Sequence, residues 1–175
     1  DLADAILMQI GTAPIDLAFV FFSAHHAAKV SMISAMLQRE LRAKVCLGCS
    51  GEGVIAGSEE IETAAALTVW VACLPGVKLT PLQLSVSQLQ DQIRMPRWPE
   101  PGLEDSTFLL LADPFSTPMQ EVLSLMTDRY PHGKVGGGLA GGGQDSGENR
   151  LLLNDQGFDG GVVGVQLTGP IAVRT

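Results

Sequence analysis

The sequence is poor in aromatic side chains, at 5%, and in basic ones, with 11 Lys and Arg against 19 Asp and Glu. The formal net charge of −8 and a pI near 4.7 exclude a nucleic-acid backbone or an anionic membrane surface as the main partner, because both demand basic clusters. The densest basic group, Arg39, Arg42 and Lys44, falls at the end of an expected helix, where it would complement the helix dipole. No apolar run reaches the roughly 18 residues of a membrane span. Only three cysteines occur, Cys46, Cys49 and Cys73. That is too few for a disulfide scaffold and compatible with a reducing compartment. Cys46 and Cys49 form a C-x-x-C, but a redox motif of that kind opens a helix, and this one lies on a strand end followed by glycines. Buried strand thiols are expected instead, Cys73 included. The chain starts Asp1-Leu2-Ala3-Asp4, without an initiator Met or a charged-then-apolar leader, and reads as a piece of something larger, intracellular, with any targeting segment out of view.

Hydrophobic residues make up 46% of the chain, enough for one globular domain with a real core. Its two halves repeat each other. Leu17–Ser23 (LAFVFFS), an amphipathic stretch, Val45–Gly53 (VCLGCSGEG) and a run ending Leu74-Pro75-Gly76 are echoed by Thr107–Asp113 (TFLLLAD), another amphipathic stretch, Val135–Gly143 (VGGGLAGGG) and a run ending Leu167-Thr168-Gly169. Ser23 and Asp113 lie 90 positions apart, as do Gly48 and Gly138. The repeats run from about 15 to 89 and from 105 to 170, with a Pro-rich linker, 90–104, between them.

Local patterns predict the elements. Leu2–Ile10 has a helical apolar face, and Thr12-Ala13-Pro14 breaks it. Residues 17–22 suit a strand buried on both faces. Ser23 is placed to cap a helix whose apolar positions are Val30, Ile33, Leu37 and Leu41. Val45–Gly48 is a second buried strand, with a turn at Cys49–Gly53. Ala66–Leu74 reads as a strand and Val77–Leu89 as a half-exposed one. Thr117 would cap a helix with Pro118 in its first turn and Met119, Val122, Leu123, Met126 and Tyr130 on one face, stopped by Pro131-His132-Gly133. Leu151–Leu153 would form a hairpin with Gly160–Leu167 across Asn154–Gly157. The expected fold is α/β: duplicated strand–helix–strand units with right-handed crossovers and added antiparallel strands, in one mixed sheet or two, with helices outside.

The two glycine-rich turns are the candidate site. Gly51-Glu52-Gly53-Val54-Ile55-Ala56 and Gly136-Gly137-Gly138-Leu139-Ala140-Gly141 mimic a dinucleotide motif, yet neither opens a helix, and no carboxylate follows the first at the next strand end. Gly48-Cys49-Ser50-Gly51-Glu52 falls one glycine short of a nucleophile elbow, and His132 is the only later histidine, so no catalytic set is complete and no enzyme is expected. Adjacent His25 and His26 point in different directions on a helix and make a poor chelate, so no metal site is expected. They read as a polar first turn, or as a donor or axial haem ligand entering the pocket. Glu52, between two glycines, would hold a ligand amine or satisfy its own loop. The ligand-binding candidates are therefore Gly48, Cys49, Ser50, Gly51, Glu52, Gly53, Gly136, Gly137, Gly138 and Leu139. The competing reading of the glycines is tight strand packing.

The segments LAFVFFSAHH at 17–26, VCLGCSGEGVIAGSEEIE at 45–62, Leu74-Pro75-Gly76, KVGGGLAGG at 134–142 and FDGGVVGVQLTG at 158–169 resemble the N-terminal domain of FIST proteins (F-box and intracellular signal transduction) across nearly the whole chain. The resemblance implies a sensory domain for small ligands such as amino acids, followed by a C-terminal FIST domain and coupled to a signalling or F-box output domain. It also implies two alternatives, an F-box substrate adaptor and a haem-based nitric oxide sensor. With few aromatics and a pocket wall expected to be glycine and short side chains, a small polar ligand is favoured, and the chain is not expected to retain haem alone.

Overall fold

The computed structural model describes residues 2–85, 87–89, 92–94 and 106–173; the backbone alone is described at 87–89 and 92–94. The linker expected at 90–104 lies outside the described residues, apart from the strand Gln92–Arg94.

Alternation along the strands builds the architecture. Helix α1 (Leu2–Ile10) leads into strand β1 (Leu17–Ser23), a 3-10 turn (Ala24–Lys29), helix α2 (Val30–Leu41) and strand β2 (Val45–Gly51), which pairs parallel to β1. A small hairpin follows, β3 (Val54–Ala56) with β4 (Glu59–Ile61), and then β5 (Leu67–Ala72), antiparallel to β1. Strands β6 (Lys78–Leu84), β7 (Ser87–Leu89) and β8 (Gln92–Arg94) complete the first half. The second half runs β9 (Thr107–Ala112), α3 (Met119–Arg129), β10 (Lys134–Leu139), β11 (Leu151–Leu153), β12 (Gln156–Phe158) and β13 (Val162–Thr168). Among the described residues these strands form a five-stranded mixed sheet, β12-β11-β2-β1-β5, a four-stranded mixed sheet, β10-β9-β13-β6, and the two-stranded pairs β3-β4 and β7-β8.

Successive side chains of a strand face opposite sides of its sheet, so the core divides into layers. Ala18, Val20 and Phe22 of β1 pack with Val30, Leu37 and Leu41 of α2 and with Ala3 and Ile6 of α1. Leu17, Val45, Leu47 and Cys49 face the other way, against Leu111, Val163, Val165 and Leu167. Phe108, Leu110 and Ala112 of β9 meet Val122 and Met126 of α3 and Tyr130 at its end. The layers are helix, sheet, sheet, helix, which fits the mixed α/β class with helices outside. No helix among the described residues is long and apolar enough to cross a membrane.

Several local expectations are corrected. Ser23 does not cap a helix: its Oγ accepts the Ala66 N–H at 3.0 Å, and a 3-10 turn follows before α2 begins. Thr117 makes no cap either, because its Oγ1 donates to the Gly161 carbonyl at 3.0 Å and Pro118 is the N-cap of α3. Strand β2 continues through Cys49 and Ser50 to Gly51, so the turn starts later. Strand β11 pairs with Gln156–Phe158 rather than Gly160–Leu167; β13 lies between β9 and β6, where it fills the second sheet. Cys73 lies beyond β5 and is exposed, unlike the buried Cys46 and Cys49. Lys44 reaches back across the strand start instead of capping α2, and its Nζ lies 2.6 Å from Asp16 Oδ1.

That ion pair sets a pH dependence. Asp16 is buried, its Oδ2 accepts the Leu74 N–H at 2.5 Å, and the Lys44 hydrogen bond leads in holding its carboxyl below the usual value despite burial. A carboxylate depressed in the fold contributes stability above its unfolded pKa of about 3.9, and that contribution is lost as pH falls through the folded value. Asp16→Asn should therefore cost about 1.5–3 kcal/mol at pH 7, the range for a hydrogen-bonded charge. The gap to wild type should narrow below about pH 4 in melting curves recorded across pH.

Candidate functional site

The C-terminal ends of β2 and β10 meet. The Gly141 N–H donates to the Ser50 carbonyl at 3.0 Å, and Gly142 sits so close that a Cβ there would lie 2.9 Å from the Gly51 oxygen. Ser50 is tied to Arg150 twice. Its Oγ accepts the Arg150 N–H at 3.1 Å while its own N–H donates to the Arg150 carbonyl at 2.9 Å. The glycine loop after β10 is pinned through Asn149, whose Nδ2 donates to Asp113 Oδ1 at 3.0 Å and whose Oδ1 accepts the Gly143 N–H at 3.0 Å. Asp113, with no exposed surface, also accepts from the Ser116 hydroxyl and amide. These buried polar groups hold the two turns together, and sequence reading missed Asn149 and Arg150 because their partners lie 36 and 100 residues away.

Beside this junction a cleft of about 860 Å³ opens between the two sheets. The first sheet contributes Phe19 and Phe21 of β1, Cys49–Gly51 of β2 and Thr68–Trp70 of β5; the second contributes Leu109–Leu111 of β9 and Gly137–Leu139 of β10; Gly53, Val54, Ile55 and Gly57 close one end. Of the predicted residues, Cys49, Ser50, Gly51, Gly53, Gly137, Gly138 and Leu139 are thus brought to one cleft. Gly136 lines a neighbouring groove of about 330 Å³ with Met119 and Leu123 of α3. Gly48 is inside the sheet, where a Cβ would lie 2.3 Å from the Val20 oxygen. Glu52 stands exposed between two lining glycines, at the rim and not among the lining side chains.

The wall differs from the expected glycine and short side chains. Phe19 and Phe21 stack with centroids 6.0 Å apart, Trp70 packs on Phe19 at 6.0 Å, and leucines face them. No described lining side chain is charged. The signal available in the sequence was the pair Phe19 and Phe21, two apart and hence on one strand face, with Trp70 in the neighbouring strand.

Burial pushes the Cys46 and Cys49 thiols up to about 12, so both stay protonated near neutrality. They sit on opposite faces of β2, one in the core under the helices and the other between the sheets, which removes a C-x-x-C redox pair. Iodoacetamide at pH 8 should accordingly modify Cys73 rapidly and the other two only on unfolding, as peptide mass spectrometry would show.

Among the described residues no group of three or more His, Cys, Asp or Glu could hold a metal. Haem does not fit the cleft's donors either. Exposed His25 has Nδ1 3.3 Å from Ser23 Oγ, and neither it nor His26 lines the cleft, while Cys49 there is a neutral thiol. Hemin titration should give a broad Soret band unchanged by His25→Ala or His26→Ala; a sharp band lost in either variant would reverse this.

The chain matches the FIST N domain family over residues 16–175. It belongs to that family. Similar proteins include an uncharacterised protein of Mycobacterium tuberculosis, 28% identical over 157 residues (90% of this chain, 40% of the relative). An uncharacterised Mycobacterium bovis protein is 28% identical over 159 residues, covering 91% of this chain and again 40% of the relative. The FIST N domain described here thus spans about 40% of the length of the curated relatives it matches. The family is associated with signal transduction.

Proposed function

We propose that this FIST N domain is a sensory domain of intracellular signal transduction that binds a small metabolite in the cleft between its two sheets, without catalysis. The observation that carries the reading is the cleft itself: about 860 Å³, walled by both sheets and reached by the ends of β2 and β10. Pockets of this size, mostly apolar with a few convergent polar groups, are the usual form of small-molecule sites. Within amino-acid-like metabolites, the aromatic and leucine wall favours those with an apolar side chain, since no described lining cation would meet a second carboxylate. Glu52 at the rim would receive the ammonium. Binding without reaction is supported by a neutral Cys49, a buried Ser50 whose hydroxyl oxygen accepts the Arg150 N–H, and a described lining without histidine.

Both halves carry a parallel strand–helix–strand unit, β1-α2-β2 and β9-α3-β10, and this supports reading the domain as a duplication. The pairing slips against the 90-residue offset. Val20 faces Gly48, and its counterpart Leu110 faces Gly137, so Gly137 takes the place expected for Gly138. A C-terminal FIST domain and a signalling or F-box output would complete the sensor.

Calorimetry with L-phenylalanine and L-leucine, against L-lysine and L-aspartate, tests the function. The apolar pair should bind and the charged pair should not, and Glu52→Gln, at an exposed carboxylate, should weaken binding by about 0.5–1 kcal/mol. Equal response to all four, or to none, sinks the amino-acid reading. A second reading, a protein-docking surface, draws on Ile55, Trp70 and Leu139, which are 69%, 57% and 55% exposed at the cleft mouth.

A further inference from the structure

Among the described residues strand β10 lies at the edge of its sheet, paired with β9 on one side. The Lys134 N–H donates to Ser106 and that of Ala140 to Ala112, and the alternation between them turns the amides of Val135, Gly137 and Leu139 toward the free edge. Proteins ordinarily blunt such an edge with proline, bulges or charge. Here the edge holds Gly136-Gly137-Gly138 with exposed Leu139, and Lys134 alone is charged.

The consecutive glycines leave both faces of the sheet bare beside that edge. On one face Gly138 opens into the cleft, where an added Cβ would meet nothing within 4 Å. On the other face lies the groove beside α3, with Met119, Leu123 and Val135. An incoming strand places alternate side chains on opposite faces, so one partner strand would fill both hollows at once.

Charge chooses its ends. The backbone of Glu52 lies 3.5 Å from the Cβ position of Gly141, just beyond β10, and the Glu52 carboxylate is exposed. The β3-β4 hairpin beside it adds Glu59 and Glu60, the latter opposite Ile55 of the cleft wall. A chain of net charge −8 also disfavours a second copy of itself at this edge.

We propose that β10 is a docking edge that takes an extended strand of a partner protein, apolar on both faces and carrying a basic residue at the end that meets Glu52. The strand adds to the sheet by main-chain hydrogen bonds to the outward amides and needs no small ligand. It differs from the metabolite reading in using the α3 groove, which that reading leaves empty.

The probe is a capped heptapeptide, Lys-Val-Leu-Val-Thr-Val-Lys, with a control bearing proline at the central valine. Hydrogen exchange of the 175-residue chain should slow about tenfold over residues 134–139 with the first peptide and not with the second. Gly138→Lys, whose Cβ would meet nothing within 4 Å, should abolish the protection without altering the melting temperature, and Glu52→Gln should weaken the peptide about threefold. The proposal is overturned by no protection at β10, by equal protection from the proline peptide, or by protection confined to β5 or β6. Peptide-independent protection that rises with protein concentration, with doubled mass in light scattering, would overturn it in favour of a second copy.

Discussion

Gly137→Ala should destabilise the domain by about 3 kcal/mol or more, while Gly138→Ala, one residue on, should leave stability unchanged. A Cβ at 137 would lie 1.8 Å from the Leu110 carbonyl oxygen, on a backbone with φ of +147° that side chains rarely adopt. That contact is with backbone, so no rotamer change relieves it. At 138 the same atom meets nothing within 4 Å. For a domain of this size the first variant should lose roughly 6–12 °C in melting temperature. Equal melting curves for the two variants would contradict the pairing of β10 on β9. The contrast also separates the two readings of the glycine run: Gly137 is there for close packing, whereas Gly138 is free to shape the cleft.

The second large effect is expected at Trp70. It is paired with Phe19 across β1 and β5 and lines the cleft beside Phe19 and Phe21. Trp70→Ala should weaken L-phenylalanine by about 1–3 kcal/mol, from lost burial and ring contact. With Trp70 57% exposed, stability should fall far less than for a buried aromatic. Calorimetry on both proteins, with melting curves alongside, checks the two halves of the statement. Unchanged affinity would remove the aromatic wall from the binding account.

Much of the fold was legible locally. The apolar faces of α1, α2 and α3 and the buried runs of β1, β2 and β9 are periodic patterns that need no knowledge of distant partners. What stayed hidden depends on long-range choices. Thr117 has the sequence form of a cap, but the Gly161 carbonyl, 44 residues on, takes its hydroxyl. The run after Gly160 looks like a hairpin partner for Leu151–Leu153, yet burial on both faces places it as a central strand between β9 and β6. At the site, the glycine turns stand out in the sequence because they end equivalent strands of the two repeats. The aromatic residues that wall the cleft do not stand out: Phe19 and Phe21 look like any buried strand, and only the packing of one sheet on another shows that part of their face stays open.

The central claim is that a small ligand enters between the sheets, and chemical-shift mapping by NMR tests it most directly. On addition of L-phenylalanine, the account predicts perturbations at the Trp70 indole, the Leu109 and Leu111 methyls and the Gly138 amide, drawn from both sheets at once. Shifts confined to the His25 and His26 turn, or to one sheet alone, would contradict it.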